Sequence, residues 1–253
     1  MAPAAGHERG GGIEAHSANT ESETNPKGIA VTTSPTPNPE STPIHVSILL
    51  DRSGSMSLIA DDIVGGLNEF IMSQQSRPGA VRLTLVQFDS EDPFEVVFDG
   101  VGLSKVPLLS LDRYLPRGAT PLHDAVGRMI ARTDAEIVAR ADHGLPIEDQ
   151  VILIVTDGQE NASCEYTRSA VFELIRQRRD RAWTFVFLGA NQDAFEEGAA
   201  MAVPVGNSRG WEATGEGSRD MWRALSTSTL QHRSRSREER RRASDRFLDD
   251  DEG

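Results

Sequence analysis

The chain has 253 residues, a hydrophobic content of 38% and a formal net charge of −13. That charge disfavours nucleic acid and anionic membrane as main partners and is compatible with a bound cation. The sequence has no apolar run long enough to cross a membrane, no apolar leader of the secretory type, and only one cysteine, Cys164, which excludes an intramolecular disulfide. These features together predict a soluble, cytoplasmic protein.

Composition divides the chain into three segments. Residues 1–43 are rich in Gly, Ser, Thr, Pro and Glu, so they bury too little apolar surface to offset ordering entropy and are predicted to be disordered. Residues 44–231 carry the apolar periodicity of one folded domain. Residues 232–253 begin with a block of Arg and Ser and end with an acidic block, which predicts a solvated tail, either disordered or a frayed helix.

Strands and helices alternate along the domain. Strands are predicted at 44–50, 81–88, 94–98, 150–156 and 182–188, with a short one near 202–205; helices are predicted at 58–75, 106–111, 121–139, 166–180, 191–201 and 214–230. The link between the second and third strands is too short for a crossover helix and predicts an antiparallel pair. We therefore expect an α/β fold with a doubly wound, mostly parallel central sheet flanked by helices and one antiparallel edge strand.

Polar side chains follow the first strand directly. Asp51, Ser53 and Ser55 stand within five residues, turned by a glycine. Ligands of open α/β sheets bind at the carboxyl ends of strands, and a set made only of oxygens suits a hard cation such as Mg²⁺. Read alone, the same residues are equally compatible with a cap for the next helix.

Two further polar residues complete a pattern. Thr120 lies in the loop before the 121–139 helix, where it would also serve as the helix cap, and Asp157 ends the strand at 150–156. The order Asp-x-Ser-x-Ser, then Thr, then Asp resembles the metal-ion-dependent adhesion site of the von Willebrand factor A domain. All five positions match without substitution. The phrases at 118–122 and 156–158 resemble the bacterial intracellular members of that family.

The resemblance implies a Rossmann-like fold and a protein-binding function. The donor set predicts Mg²⁺ or Mn²⁺, with Ser53 and Ser55 as direct hydroxyl ligands and Thr120 bound directly or through water. Asp51 and Asp157 are expected to hold bound waters and to orient the serines. Few charged ligands then touch the ion, so an Asp or Glu of a partner protein can complete its coordination. Intracellular members of the family often work beside AAA+ ATPases in metal-insertion or stress systems, which implies such a partner here.

Two alternatives remain at this stage. One is a scaffold whose five polar side chains only stabilise loops. The other is a metal-dependent hydrolase of the haloacid dehalogenase type, which needs a second Asp two residues after the first; here Ser53 takes that place and cannot act as an acid at neutral pH. The sequence also has no glycine-rich phosphate-binding loop directly before a predicted helix. We therefore predict a binding protein and not an enzyme.

Four neighbours of the motif carry separate expectations. Arg52 is expected to face solvent beside the metal and to pair with an acidic group of the partner. His123 is expected to pack locally in the first turn of its helix, with contact to a ligand near the metal as the alternative. Glu160 and Asn161 are expected either to line the rim or to cap the next helix.

Overall fold

The computed structural model describes residues 42–190 and 194–249. Its strands are β1 Ile44–Asp51, β2 Val81–Phe88, β3 Glu95–Gly102, β4 Asp149–Thr156, β5 Thr184–Ala190 and β6 Ser208–Trp211. Its helices are α1 Ala60–Gln75, α2 Leu122–Asp142, α3 Arg168–Arg179, α4 Ala194–Ala200, α5 Gly215–Ser234 and α6 Arg237–Arg242. Nearly all of the segment predicted to be disordered, and the first three residues of the helix predicted at 191–201, lie outside the described residues. None of the helices in the described ranges is long and apolar enough to span a bilayer.

The six strands form one sheet in the order β3-β2-β1-β4-β5-β6. Every neighbouring pair is parallel except β2 and β3, which are antiparallel and place β3 at the edge. β1 is central, and all eight of its residues are buried because helices cover both faces of the sheet. The predicted fold class is confirmed.

Alternate residues of β1 supply two separate cores. Ile48 and Leu50 pack on the side of α1 and α5, whereas Leu49 packs on the side of α2 and α3. α1 approaches α5 closely because Gly66 has no side chain: a Cβ there would overlap the indole of Trp222. This packing fixes β1, and with it the loop that follows β1.

Two short elements differ from their predictions. The segment predicted to be a helix at 106–111 is mostly extended, because the Asn68 side chain pairs with both backbone groups of Leu109, at 2.9 and 2.8 Å. The strand predicted near 202–205 forms later, as β6. Residues 202 and 203 instead close α4, where the backbone N–H of Val203 donates to the carbonyl of Gly198 at 2.8 Å.

Two alanines take the left-handed conformation usually occupied by glycine at helix ends. Ala182 follows α3 with φ of 65° and Ala202 follows α4 with φ of 62°. At the first end, the N–H groups of Ala182 and Trp183 donate to the carbonyls of Arg179 and Arg178, at 2.8 and 3.0 Å. This is the Schellman arrangement, in which a Cβ at the left-handed position is strained.

The charged segment after residue 231 differs from a solvated tail in its described part. α5 continues to Ser234, α6 follows, and Phe247 is buried in the same core as β1. Asn207 forms two hydrogen bonds with this segment. Its amide donates to the carbonyl of Ser244 at 2.7 Å, and its side-chain oxygen accepts from the N–H of Phe247 at 2.7 Å. Arg240 is also buried and pairs with Asp149 at 2.9 Å. Buried apolar side chains, the hydrogen bonds of Asn207 and a buried ion pair thus hold a segment whose composition predicts a solvated tail.

Candidate metal centre

The site begins where β1 and β4 end side by side. The two strands pair in parallel, with Leu50 opposite Val155, so Asp51 and Thr156 are neighbours. Asp51 is fully buried and accepts two hydrogen bonds, from the Thr156 hydroxyl at 2.5 Å and from the backbone N–H of Ser53 at 2.7 Å. Its carboxylate therefore holds the loop after β1 against the end of β4.

Both serines of the first motif lie in that loop, with their hydroxyls side by side. The hydroxyl oxygens of Ser53 and Ser55 are 3.1 Å apart, and the Ser55 hydroxyl donates to the carboxylate of Asp157 at 2.7 Å. Ser53 is buried and Ser55 is exposed. Asp157 thus stands beside the serines, as the sequence predicts for residues at one rim of the sheet.

Thr120 reaches the same place from a third loop. A Cβ built on Gly158 would lie 3.2 Å from the Thr120 hydroxyl oxygen and 3.6 Å from that of Ser55. The absence of a side chain at 158 therefore leaves space between these two hydroxyls. Thr120 does not cap α2: the helix begins at Leu122, and Pro121 occupies the cap position without a side-chain hydrogen bond. The predicted cap is wrong because the Thr120 hydroxyl faces the rim.

Two carboxylates at the rim lack a cationic partner. Burial raises the pKa of Asp51 to about 6, against the opposing effect of its hydrogen bonds, and the charge of Asp157 adds to the rise. Burial also raises the pKa of Asp157, and the Ser55 hydrogen bond partly offsets this. Among the described residues, neither carboxylate forms an ion pair. A cation bound between them would remove this electrostatic cost, so the electrostatics and the space beside Gly158 fit a metal ion.

The donor chemistry narrows the kind of metal. Within the described part of the chain, no group of three or more His, Cys, Asp or Glu side chains could hold an ion. The oxygen donors at the rim are the hydroxyls of Ser53, Ser55 and Thr120 and the carboxylates of Asp51 and Asp157, a set that fits a hard divalent cation.

Arg52 corrects one expectation. Its side chain is only 4% exposed and points inward, away from any partner. The guanidinium donates to the carboxylate of Asp89 at 2.7 Å and to the side-chain oxygen of Gln87 at 3.0 Å, and it pairs with Glu95. Asp89 is fully buried, so this ion pair is internal. Arg52 turns inward because β2 ends beside β1 and presents a carboxylate there.

The segment after β2 also contacts the Thr120 loop. Arg117 donates to Asp89 at 3.2 Å, and the backbone N–H of Ser90 donates to the carbonyl of Ala119 at 3.0 Å. The Ser90 hydroxyl accepts from the N–H of Ala119 at 2.9 Å. The sequence analysis did not predict this connection between the two loops. The signal that could have revealed it is Asp89, an acidic residue directly after a strand that ends at the same rim. Asp89 and Ser90 therefore join the loop of Ser53 to the loop of Thr120.

The loop after β4 is attached to the start of α2. Asn161 exchanges two hydrogen bonds with the backbone of Thr120, at 2.8 and 3.2 Å. Glu160 accepts from the backbone N–H of His123 at 2.8 Å and from the Ser163 hydroxyl at 2.6 Å. Neither Glu160 nor Asn161 caps α3, whose cap is the Thr167 side chain. These contacts join the loop after β4 to the loop that carries Thr120.

Tyr114 lies directly beneath the first motif. Its hydroxyl donates to the backbone carbonyl of Asp51 at 2.5 Å, and the ring is 1% exposed. Burial and the nearby charge of Asp51 raise the pKa of this phenol well above its ordinary value. Tyr114 therefore stays protonated and donates to the strand end that carries Asp51.

No protein-family profile and no curated protein matches the sequence. Solved structures do match: the pilus adhesin SpaC of Lactobacillus rhamnosus GG, at 12% identity, covers 76% of this chain and 30% of its own, with a TM-score of 0.59. A von Willebrand factor type A protein of Catenulispora acidiphila, at 14% identity, covers 75% of this chain and 43% of its own, with a TM-score of 0.50. The SpRpn10 VWA domain, at 12% identity, covers 70% of this chain and 93% of its own, with a TM-score of 0.50. This chain thus spans less than half the length of the first two proteins. It has the fold of the von Willebrand factor A domain.

Proposed function

We propose that this chain is a metal-dependent protein-binding module. In this proposal Asp51, Ser53, Ser55, Thr120 and Asp157 form a complete metal-ion-dependent adhesion site for Mg²⁺ or Mn²⁺. The observation that carries it is the meeting of three loops around the open space beside Gly158, with two buried, uncompensated carboxylates at its edge. A divalent cation held there supplies the positive charge to which an Asp or Glu of a partner protein binds.

The residues have distinct roles in this proposal. Ser53 and Ser55 offer neutral oxygens, and Ser55 is exposed to an approaching partner. Asp157 orients the Ser55 hydroxyl, and Asp51 orients the loop through the N–H of Ser53. Neutral donors leave more positive charge on a bound ion than carboxylates do, which favours an acidic partner group. The loop phrases that resemble bacterial intracellular proteins support a cytoplasmic location and an AAA+ ATPase as the class of partner.

Binding is favoured over catalysis by the surroundings of the hydroxyls. Among the described residues, no histidine or lysine is hydrogen-bonded to Ser53, Ser55 or Thr120. A hydroxyl nucleophile needs such a base within about 2.6–3.2 Å. Asp157 does contact Ser55, but it also belongs to the proposed metal site, where it would be occupied in orienting ligands.

The test is a thermal-melt titration with Mg²⁺, Mn²⁺ and Ca²⁺ against EDTA. A ligand that binds only the folded state stabilises it, by about 2.7 kcal/mol at a hundred times its Kd. For a domain of this size that is a rise in Tm of roughly 5–10 °C. Ser55→Ala should abolish the rise. Ser57→Ala is the matched control, since Ser57 is also exposed, in the same short helix Gly54–Ile59, but its hydroxyl donates to the carbonyl of Gly54 at 2.6 Å.

Partner binding is tested with the same two variants. Immobilised wild type and Ser57→Ala should retain a protein in Mg²⁺ and release it in EDTA, whereas Ser55→Ala should retain none. A melt unchanged by any of the three metals would favour a scaffold with an idle site. Turnover of phosphate esters in Mg²⁺ that disappears in Asp51→Asn would show a hydrolase and refute the binding role.

A further inference from the structure

A second concave surface lies at the opposite end of the sheet, where β4 and β5 begin. We call it the basic cavity; its volume is about 380 Å³. Its wall includes two exposed aliphatic residues, a tryptophan and three arginines: Val138, Ile147, Trp183, Arg181, Arg237 and Arg241. They come from α2, the segment before β4, the turn before β5, and α6. β4 separates this cavity from the metal rim by about 23 Å, at 3.3 Å per residue along the strand.

The cavity exposes aliphatic side chains. Val138 is 61% exposed and Ile147 is 65% exposed, while Trp183 forms a buried part of the wall. The periodicity of α2 predicts that Val138 faces inward, and the structure shows that it does not. Exposed aliphatic groups beside a concavity are a feature of interaction sites more than of plain surface.

The cavity lining carries three acidic side chains and three arginines, and among the described residues only two of the arginines lack a partner of opposite charge. Its three acidic side chains are already paired, at 2.5–3.1 Å: Asp134 with Arg178, Glu148 with Arg82 and Arg140, and Asp149 with Arg237 and Arg240. Arg181 and Arg241 are exposed, and neither forms an ion pair within the described ranges. The unpaired charge at this cavity is therefore positive, although the chain as a whole carries a net charge of −13.

The two free arginines are held in place by the fold. Arg181 sits in the tight turn after α3, immediately before Ala182 with its φ of 65°. Arg241 is on α6, whose neighbouring residue Arg240 is anchored to Asp149 and to the backbone carbonyl of Thr42, at 2.9 and 3.0 Å. Fixed backbone positions reduce the entropy lost when such side chains bind an anionic group.

We infer that the basic cavity docks an acidic segment of a partner protein. An apolar side chain of that segment packs against Val138 and Ile147, and flanking carboxylates pair with Arg181 and Arg241. A volume of about 380 Å³ is near the lower limit for ligand pockets, so it suits one or two side chains and not a nucleotide cofactor. Two arginines in a concavity are too few for the extended basic track that a nucleic acid needs, and a flat membrane cannot reach the buried wall.

This site is independent of the metal rim. Because the two lie at opposite ends of β4, one molecule can hold two partners, or two parts of one partner, at once. The acidic segment needs no cation here, since the arginines supply the positive charge. Binding to the basic cavity should therefore survive EDTA, which separates it from binding at the rim.

The experiment is fluorescence anisotropy in EDTA, using the full chain and a short fluorescein-labelled peptide of alternating Asp and Leu. We expect saturable binding that weakens about tenfold in Arg181→Ala/Arg241→Ala, because each charge-assisted contact contributes measurably. The charge-matched control is Arg219→Ala/Arg223→Ala on α5, which should bind like wild type. Ile147→Ser should also weaken binding, and Leu145→Ser, an exposed neighbour that does not line the cavity, should not.

Two more peptides test whether the cavity needs both the acidic and the apolar side chains of its partner. A peptide of Asp and Ser should bind more weakly than that of Asp and Leu, and a peptide of Lys and Leu should not bind. The inference is overturned if the arginine double variant binds like wild type, if Asp and Ser suffice, or if no peptide binds at millimolar concentration. It is also overturned if RNA or anionic vesicles bind in the same buffer and Ile147→Ser leaves that binding unchanged.

Discussion

Acid should destabilise this domain through His232 of α5. The imidazole is 2% exposed, and neither ring nitrogen has a hydrogen-bond partner among the described residues. Phe247 lies against it, with ring centroids 5.2 Å apart. Burial, reinforced by the charges of Arg240 and Arg235, lowers the pKa of His232 from 6.5 to about 3. The folded state therefore keeps this ring neutral at pH values where the unfolded chain binds a proton.

The effect of pH on the contribution of His232 to the free energy of unfolding follows from proton linkage. Because the folded pKa is depressed, the contribution of His232 is fully present above pH 6.5 and is lost as the pH falls toward 3. Between pH 7 and pH 5 the loss is about 2 kcal/mol, since each pKa unit corresponds to 1.36 kcal/mol. Burial lowers the pKa of His45 as well, whereas the raised pKa of Asp51 acts in the opposite direction. The measurement must therefore compare two proteins and not two pH values alone.

The comparison is urea unfolding of wild type and His232→Leu at pH 7 and pH 5. The variant should gain about 2 kcal/mol relative to wild type on going to the lower pH, because leucine does not titrate and keeps a similar volume. His143→Leu, which replaces an exposed histidine, should follow the wild type. Equal losses in wild type and His232→Leu would refute the claim that this ring stays neutral in the fold.

Four other substitutions test separate features. Gly158→Ala should weaken Mn²⁺ binding at least about tenfold in an EPR titration while unfolding changes little, because its Cβ would lie 3.2 Å from the Thr120 hydroxyl; unchanged affinity would mean that this space is not the metal site. Asp89→Asn should lower the free energy of unfolding by about 3–5 kcal/mol, since it leaves the guanidinium of Arg52 without its main counter-charge, and a loss within error would show that Glu95 suffices. Ala182→Gly should raise the free energy of unfolding by about 1 kcal/mol by relieving left-handed strain, and a decrease would contradict the φ of 65°. Phe247→Ala should cost about 3–5 kcal/mol in the same urea assay, whereas a cost near zero would mean that the segment after α5 is not packed.

The sheet could be read from the sequence because its strands are buried on both faces. An unbroken apolar run such as that of β4 has few other stable arrangements. The position of β6 was predicted wrongly because this strand has only four residues. The apolar residues before it, which resemble a strand in the sequence, end α4 instead. Backbone hydrogen bonds to the carbonyl of Gly198 determine the conformation of this segment, and residue types alone do not predict them.

The candidate site, like the fold, could be predicted from the sequence only in part. Spacing along the chain was enough to predict that Asp51, Ser53, Ser55, Thr120 and Asp157 meet at one rim, because parallel strands end together. Spacing did not reveal that Arg52 turns inward, since the carboxylate that attracts it follows another strand. Charge patterning likewise predicted a solvated end for the chain, because the two buried apolar residues Phe247 and Leu248 have little weight in an average over a charged segment. Metal binding itself remains a prediction.

The burial of Phe247 sets a condition on folding during synthesis. Phe70 of α1 packs against Trp222 of α5, with ring centroids 5.9 Å apart, and Phe247 closes the same core. At about 5–20 residues per second, a ribosome needs roughly 10–40 s to go from α1 to the last of these aromatic residues. Throughout that interval the core that α1, α5 and Phe247 share is incomplete. Chaperones that hold exposed apolar surfaces therefore have a long period in which to bind, and a chain that ends before Phe247 keeps part of this core exposed.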